Sequence, residues 1–339
     1  MWSGPRSMST TLLYSFANRP DVTGVDEPLY AHHLSCNPHL TRPYKAELMA
    51  AQSPVGTNVI KEVLLGPCET PIIFCKHMAK QAIGTGLDMS WVTGARTKHI
   101  ILIRDPVKLI SSWAAKKASV GLEMTLEETG IAQLLALRSL LRAHGVREDD
   151  VTIVDADDVA LNPVGVLAVV CARCGIRFLP DDMLTWPAGP KPYDGVWASY
   201  WYDQVHKSTG FLSAGKMSKL PYRRFPSECY GLLEDALPFY NALKRSTIVL
   251  ADSILSVPVA DVGGRRRSSD GGSSSSNSSS NTMLARGSRE ALAMTPDPKN
   301  VSPGLLVWVG PPGNGRLLPR FMAGCSVFDS AVQGGDAVW

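Results

Sequence analysis

Gly4-Pro5-Arg6-Ser7-Met8-Ser9-Thr10-Thr11 brings a cation and a run of hydroxyls to the start of a helix. From Ser9 to Asn18 the apolar residues Leu12, Leu13 and Phe16 share one side, which predicts that helix. Its first backbone N–H groups lack partners within the helix and its dipole favours negative charge, so the turn suits an anion. Arg6 can meet phosphate or sulfonate oxygens through its fork, while Ser7, Ser9 and Thr10 add hydroxyl donors. The loop is neither G-x-x-x-x-G-K-[ST] nor G-x-G-x-x-G, which leaves a Walker A site and a dinucleotide dehydrogenase without support. Serine-rich helix starts are common, so the loop alone also fits an ordinary cap. A turn of this kind hangs from a strand, and only Met1, Trp2 and Ser3 precede it. Either residues lie upstream or the turn is unusually exposed.

Outward from the loop, short apolar runs alternate with helices. Pro71 to Cys75 reads as a strand ending at Lys76-His77, and His99 to Ile103 as another ending at Arg104-Asp105-Pro106. Pro106 fits the first turn of the following helix. Thr125 and Glu128 form a capping-box pattern ahead of an amphipathic helix stopping near Gly145. Val151 to Val154 is a further strand, and Pro163 to Cys174 a helix closed by Gly175. This order predicts an α/β three-layer sandwich with a central parallel sheet. Ligands collect at the carboxyl ends of such strands, where Arg6 to Thr10, Lys76-His77 and Arg104-Asp105 fall. Taken singly, each cluster also reads as a polar rim where a buried strand emerges.

Arg104 leaves a strand end, and Ser112 lies two helical turns further on. With Arg6 to Thr10, this spacing resembles the P-loop sulfotransferase superfamily over roughly residues 1–255. The resemblance implies a P-loop NTPase-like fold and 3'-phosphoadenylyl sulfate (PAPS) as co-substrate. It implies that Arg6, Ser7, Met8, Ser9 and Thr10 cradle the 5'-phosphosulfate, with Arg6 in place of a lysine used by many relatives. Arg104 and Ser112 match the pair that holds the 3'-phosphate. Asp26-Glu27-Pro28-Leu29-Tyr30 resembles a segment near the acceptor side of less-studied members. His77 falls near the position of a catalytic histidine, where a neutral imidazole can take a proton from an acceptor hydroxyl. Several relatives carry an acidic residue there, and a structural role fits His77 equally. Lys76 joins Arg6 as a candidate for stabilising the transferring sulfonate. His32 and His33 are weaker reserves for the base.

Pro192 to Tyr202 is unusually aromatic, fit for an acceptor pocket, an adenine cover or ordinary packing. The R-K-G segment that many cytosolic sulfotransferases use for the 3'-phosphate has no clear copy, which weighs against turnover.

Lys plus Arg number 34 against 31 Asp plus Glu, so the net charge of +3 gives no sign of a strongly basic nucleic-acid binder. Seven scattered cysteines suggest a reducing compartment. Cys171-x-x-Cys174 has no second pair, and no metal site is expected. No apolar run has membrane-spanning length. Cytosol and plastid both remain open.

Val262 to Asn281 reads VGGRRRSSDGGSSSSNSSSN, a composition that cannot repay the entropy of ordering. The expected organisation is a sulfotransferase-like domain over 1–258, a Gly/Ser-rich linker over 259–302, and a short segment over 303–339. Ser326 to Trp339 resembles the opening of a class IV, pyridoxal-phosphate-dependent aminotransferase, so the whole chain resembles plant and algal branched-chain-amino-acid aminotransferase-like proteins. The lysine that holds pyridoxal phosphate lies far beyond this point in such enzymes. The chain is therefore expected to be a fragment without a pyridoxal phosphate site.

Three functions follow as expectations. The first is sulfonate transfer from PAPS to a hydroxyl or amine of a small molecule, with His77 as base. The second is a non-catalytic nucleotide-binding domain, either dimeric or associated with an aminotransferase domain. The third and weakest is another phosphoryl-type transfer such as a kinase.

Overall fold

The computed structural model describes residues 1–248 except 95, 121, 123 and 212–224. The expected linker and the aminotransferase-like segment lie outside the described residues.

Five parallel strands form one sheet: β1 (Trp2–Ser3), β2 (Val22–Asp26), β3 (Ile72–Met78), β4 (His99–Ile103) and β5 (Val151–Asp155), in spatial order β2-β3-β1-β4-β5. The helices that matter here are α1 (Ser9–Ala17), α2 (Tyr30–Cys36), α3 (Lys45–Ala51), α4 (Pro106–Val120), α5 (Leu126–Thr129), α6 (Ile131–Ala143), α7 (Pro163–Cys174) and α8 (Tyr230–Lys244). Every residue of β4 is buried, as a strand covered on both faces requires. On one face Trp2, Ile101, Ile103 and Ile153 join one core with Leu134 and Leu137 of α6 and Leu243 of α8. On the other, Phe74, Leu102 and Val154 join a second core with Leu12 and Phe16 of α1 and Leu167 of α7. Phe16 and Phe74 stack at 4.2 Å between centroids. The α/β three-layer arrangement expected from the sequence is present.

β1 has only two residues yet occupies the middle of the sheet. Trp2 pairs with His77 and Ile101, and Ser3 with Met78 and Leu102. The root of the Arg6 loop is thus buried, not exposed. From β1 the chain runs to β2 and β3 on one side, then crosses β1 to reach β4 and β5. The strand order reverses there, opening a crevice at the carboxyl ends of β1 and β4.

Two elements differ from expectation. β3 continues through Lys76 and His77 to Met78, because Asp26 and Trp2 on its two neighbours pair with those residues. The helix after Thr125 is two helices, divided at Gly130, whose φ of 70° is left-handed. Thr125 Oγ1 does accept from the Glu128 N–H, at 3.2 Å. The break lets Thr129 approach the loop so closely that a Cβ on Gly4 would stand 2.2 Å from the Thr129 carbonyl oxygen.

Candidate functional site

The loop after β1 curls through two left-handed residues, Arg6 at φ 60° and Met8 at φ 62°, either side of Ser7. Such alternation turns successive N–H groups towards one concavity, which suits an anion. Met8 caps α1 without a side-chain hydrogen bond, so no side chain occupies the helix start. Ser7 is buried and its hydroxyl donates to the Pro5 carbonyl at 3.3 Å. Ser9 is buried and Thr10 half-buried at the first turn.

Two guanidinium groups converge here. Arg6 Nε donates to Ser112 Oγ at 3.1 Å, and its Nη1 donates to the Trp201 carbonyl at 3.2 Å. Arg104 Nη1 donates to the Arg6 carbonyl, while its buried Nε has no partner. Neither arginine forms an ion pair with a carboxylate among the described residues. Burial holds both below the usual guanidinium value, and for Arg6 the nearby Arg104 charge adds to that effect. The structure therefore brings Arg6, Ser7, Arg104 and Ser112 together, on a loop, a strand end and α4.

Lys76 and His77 are placed differently. Lys76 Nζ, fully buried, donates to Asp26 Oδ1 at 2.7 Å, Glu27 Oε1 at 2.7 Å and the Tyr202 hydroxyl at 2.6 Å. Burial pulls this ammonium down, but the two carboxylates outweigh it and hold the group well above its ordinary value. Burial pushes Asp26 up to about 6 against the pull of Lys76. All three ammonium protons have partners, so Lys76 has none left for a sulfonate. His77 points to the opposite face, stacked on Trp2 at 4.4 Å, with Nδ1 buried and unpartnered. Burial drives its imidazole well below the ordinary value. The register with Trp2 puts this ring in the apolar core, and none of its hydrogen bonds joins it to the Arg6 loop.

Gln81 and Arg42 carry no signal in the sequence, and Glu27 and Glu128 stand there only in a resemblance and in a helix cap. Glu27 has φ 43°; with Arg6 and Met8 it completes the left-handed non-glycine residues among those described, all at this end of the sheet. Gln81 Nε2 donates to Glu27 Oε2 at 2.6 Å. Glu128 receives Arg42 Nη2 at 2.8 Å and also Lys80. Burial opposes its charge, yet these two cations hold Glu128 below the usual carboxylate value. Arg42 Nε continues to the Tyr30 hydroxyl, 2.9 Å from that of Tyr44, which accepts from Trp201 Nε1 at 3.0 Å. The polar chain thus runs from Glu128 to the residue whose carbonyl binds Arg6. The sequence signals for this chain are the Asp26–Tyr30 resemblance, the aromatic run and the cap at Glu128.

The aromatic run divides its roles. Trp197 and Tyr202 pack with Tyr30 and Tyr44, while Arg6 lies over the Trp201 ring at 6.0 Å. His206 pairs with Asp194 at 3.0 Å, and His32 and His33 belong to α2, away from the loop's hydrogen bonds. Cys171 Sγ faces Met183 Sδ at 3.8 Å. Among the described residues no group of three or more His, Cys, Asp or Glu can hold a metal, and no helix is long and apolar enough to cross a membrane.

Residues 1–247 match the family model described as "Sulfotransferase domain". Two Arabidopsis thaliana proteins, branched-chain-amino-acid aminotransferase-like proteins 1 and 2, are 38% and 37% identical to the chain over 338 residues. The match covers 100% of this chain and 51% of each relative, so the chain spans about half the length of the curated relatives it matches. Among solved structures, the sulfotransferase domain from the curacin biosynthetic pathway aligns with TM-score 0.41 and 17% identity, over 70% of this chain and 95% of that one. The sulfotransferase domain from the Synechococcus PCC 7002 olefin synthase gives TM-score 0.39 and 16% identity, over 69% and 92%.

Proposed function

The chain belongs to the sulfotransferase-domain family, and from that membership we propose that it binds a nucleotide of the PAPS class as the non-catalytic domain of a branched-chain-amino-acid aminotransferase-like protein. The observation that carries the reading is the pair Arg6 and Arg104, cations without carboxylate partners beside an uncapped helix start. Two half-buried cations side by side oppose one another, only partly offset by Asp203 and Asp155 nearby, and an anion between them would relieve that cost. In this reading the loop amides and Arg6 take the 5'-phosphosulfate, and Arg104 with Ser112 takes the 3'-phosphate. The binding-only role is supported by His77 facing the core and Lys76 having its protons engaged.

Sulfonate transfer is the second reading. One observation favours it: Glu27, left-handed and buried, holds a carboxylate, a group able to take a proton, at the carboxyl edge of the sheet, bonded to Lys76 and Gln81.

Titration with adenosine 3',5'-bisphosphate tests the first reading. Saturable binding is expected, lost in Arg6→Ala and Arg104→Ala and weakened in Ser112→Ala. Binding that persists unchanged in both arginine variants overturns the assignment. Transfer of labelled sulfonate from PAPS in a cell extract, abolished in Glu27→Gln, would establish the second reading over the first.

A further inference from the structure

Beside the edge strand β2 lies a cavity of about 480 Å³, within the range that suits a small organic molecule. Its other walls come from α3, the helical turns over 56–64 and the segment 193–197. Leu48, Val59, Val63 and Trp197 supply apolar lining. The charged side chains lining it are Asp26, Glu62 and Asp194, with no lysine, arginine or histidine among the lining residues.

Two of these carboxylates are already satisfied. Asp26 is held by Lys76 and Tyr202, and Asp194 by the Tyr14 hydroxyl and His206. Glu62 is exposed and forms no ion pair or side-chain hydrogen bond among the described residues. It belongs to Ile60–Leu64, a π-helical turn, a distortion found frequently at functional sites. The same turn leaves Val63 39% exposed, and Leu65 just after it is 61% exposed, so apolar surface meets solvent beside the opening. A lining without cations repels carboxylates and phosphates. An unpaired Glu62 beside apolar lining favours a cation that carries an apolar body.

We propose that this cavity is a binding site for a small apolar primary amine, its body among Val59, Val63 and Trp197 and its ammonium at Glu62. The site uses neither Arg6 nor Arg104, so it stands apart from the nucleotide reading.

The full chain titrated with 2-phenylethylamine, 2-phenylethanol and phenylacetate, read by tryptophan fluorescence and calorimetry, tests this. The amine is expected to bind saturably, about fivefold more tightly than the alcohol, as one exposed ion pair allows. Phenylacetate should bind weakest. Glu62→Gln should equalise amine and alcohol, and Ala51→Trp, at an exposed wall position, should fill the cavity and abolish both. Arg6→Ala should leave amine binding unchanged. Absence of saturable amine binding, equal binding of phenylacetate, or an Ala51→Trp variant with normal thermal unfolding and undiminished binding would overturn the site. Should Ala51→Trp fail to fold, the loss of discrimination in Glu62→Gln remains decisive, and retained discrimination there also overturns it.

Discussion

Arg6 Nε donates to Ser112 Oγ at 3.1 Å, joining the loop after β1 to a helix 106 residues later. That bond and the one to the Trp201 carbonyl are the side-chain hydrogen bonds of Arg6 among the described residues. Burial and the neighbouring Arg104 both oppose its charge.

Arg6→Met should therefore keep or raise the thermal midpoint of the ligand-free protein while abolishing stabilisation by adenosine 3',5'-bisphosphate. A change between zero and about +4 °C is expected, since ~1 kcal/mol moves a domain of this size by a few degrees. Differential scanning fluorimetry with and without the nucleotide checks both halves. A ligand-free drop of more than about 5 °C would show that the arginine is chiefly structural.

Lys76→Met should be severely destabilising, by roughly 3–5 kcal/mol, because Asp26 and Glu27 stay buried with no cation between them. Tyr202→Phe should cost less, roughly 1–3 kcal/mol, by leaving Lys76, Asp26 and Trp197 each one partner short. Urea unfolding of the two variants measures the difference, and equal costs would argue against the shared cluster.

Gly4→Ala should lower stability by about 2 kcal/mol or more, since its Cβ would meet the Thr129 carbonyl at 2.2 Å and force the loop and α5 apart. The loss should extend to nucleotide binding although Gly4 carries no side chain. Binding at wild-type strength in a folded Gly4→Ala protein would show that the loop moves freely of α5.

Stability should fall as pH drops from about 7 towards 5. Burial pushes His33 down to about 3 and His99 down to about 4, and His77 well below its usual value. Below the ordinary imidazole value near 6.5, the unfolded chain takes up protons that the folded chain refuses. Each such group then removes about 1.4 kcal/mol per pH unit, and the three together outweigh Asp26, whose carboxyl, raised to about 6, acts in the opposite direction. Urea midpoints across this window should shift less in His99→Gln than in the wild type.

The sequence made the sheet legible where apolar runs were continuous. The run His99 to Ile103 and the helix starts at Pro106 and Pro163 were plain because local chemistry alone determines them. The loop and Arg104 stand out because charge and hydroxyls sit at strand ends, whereas Ser112, two turns into α4, is marked only by the family resemblance. β2 escaped notice: Val22-Thr23-Gly24-Val25-Asp26 is an edge strand with a glycine at its centre and a diluted apolar pattern. β3 looked shorter than it is because a lysine interrupts its apolar run. Lys76 is tolerated inside only through Asp26, Glu27 and the distant Tyr202, a compensation no local window contains. Glu128 was read as a helix cap, and its pairing with Arg42 and Lys80 depends on tertiary approach.

The Tyr202 hydroxyl reaches back 126 residues to Lys76, and the neighbouring Trp201 carbonyl reaches back 195 to Arg6. A polypeptide cut after β5 would contain β1 to β5, yet it would leave one buried ammonium and one guanidinium without those acceptors. The smallest piece able to fold independently is therefore expected to extend past Tyr202. Proteolytic nicking between β5 and Tyr202 should release a fragment that unfolds instead of leaving a stable five-stranded remnant.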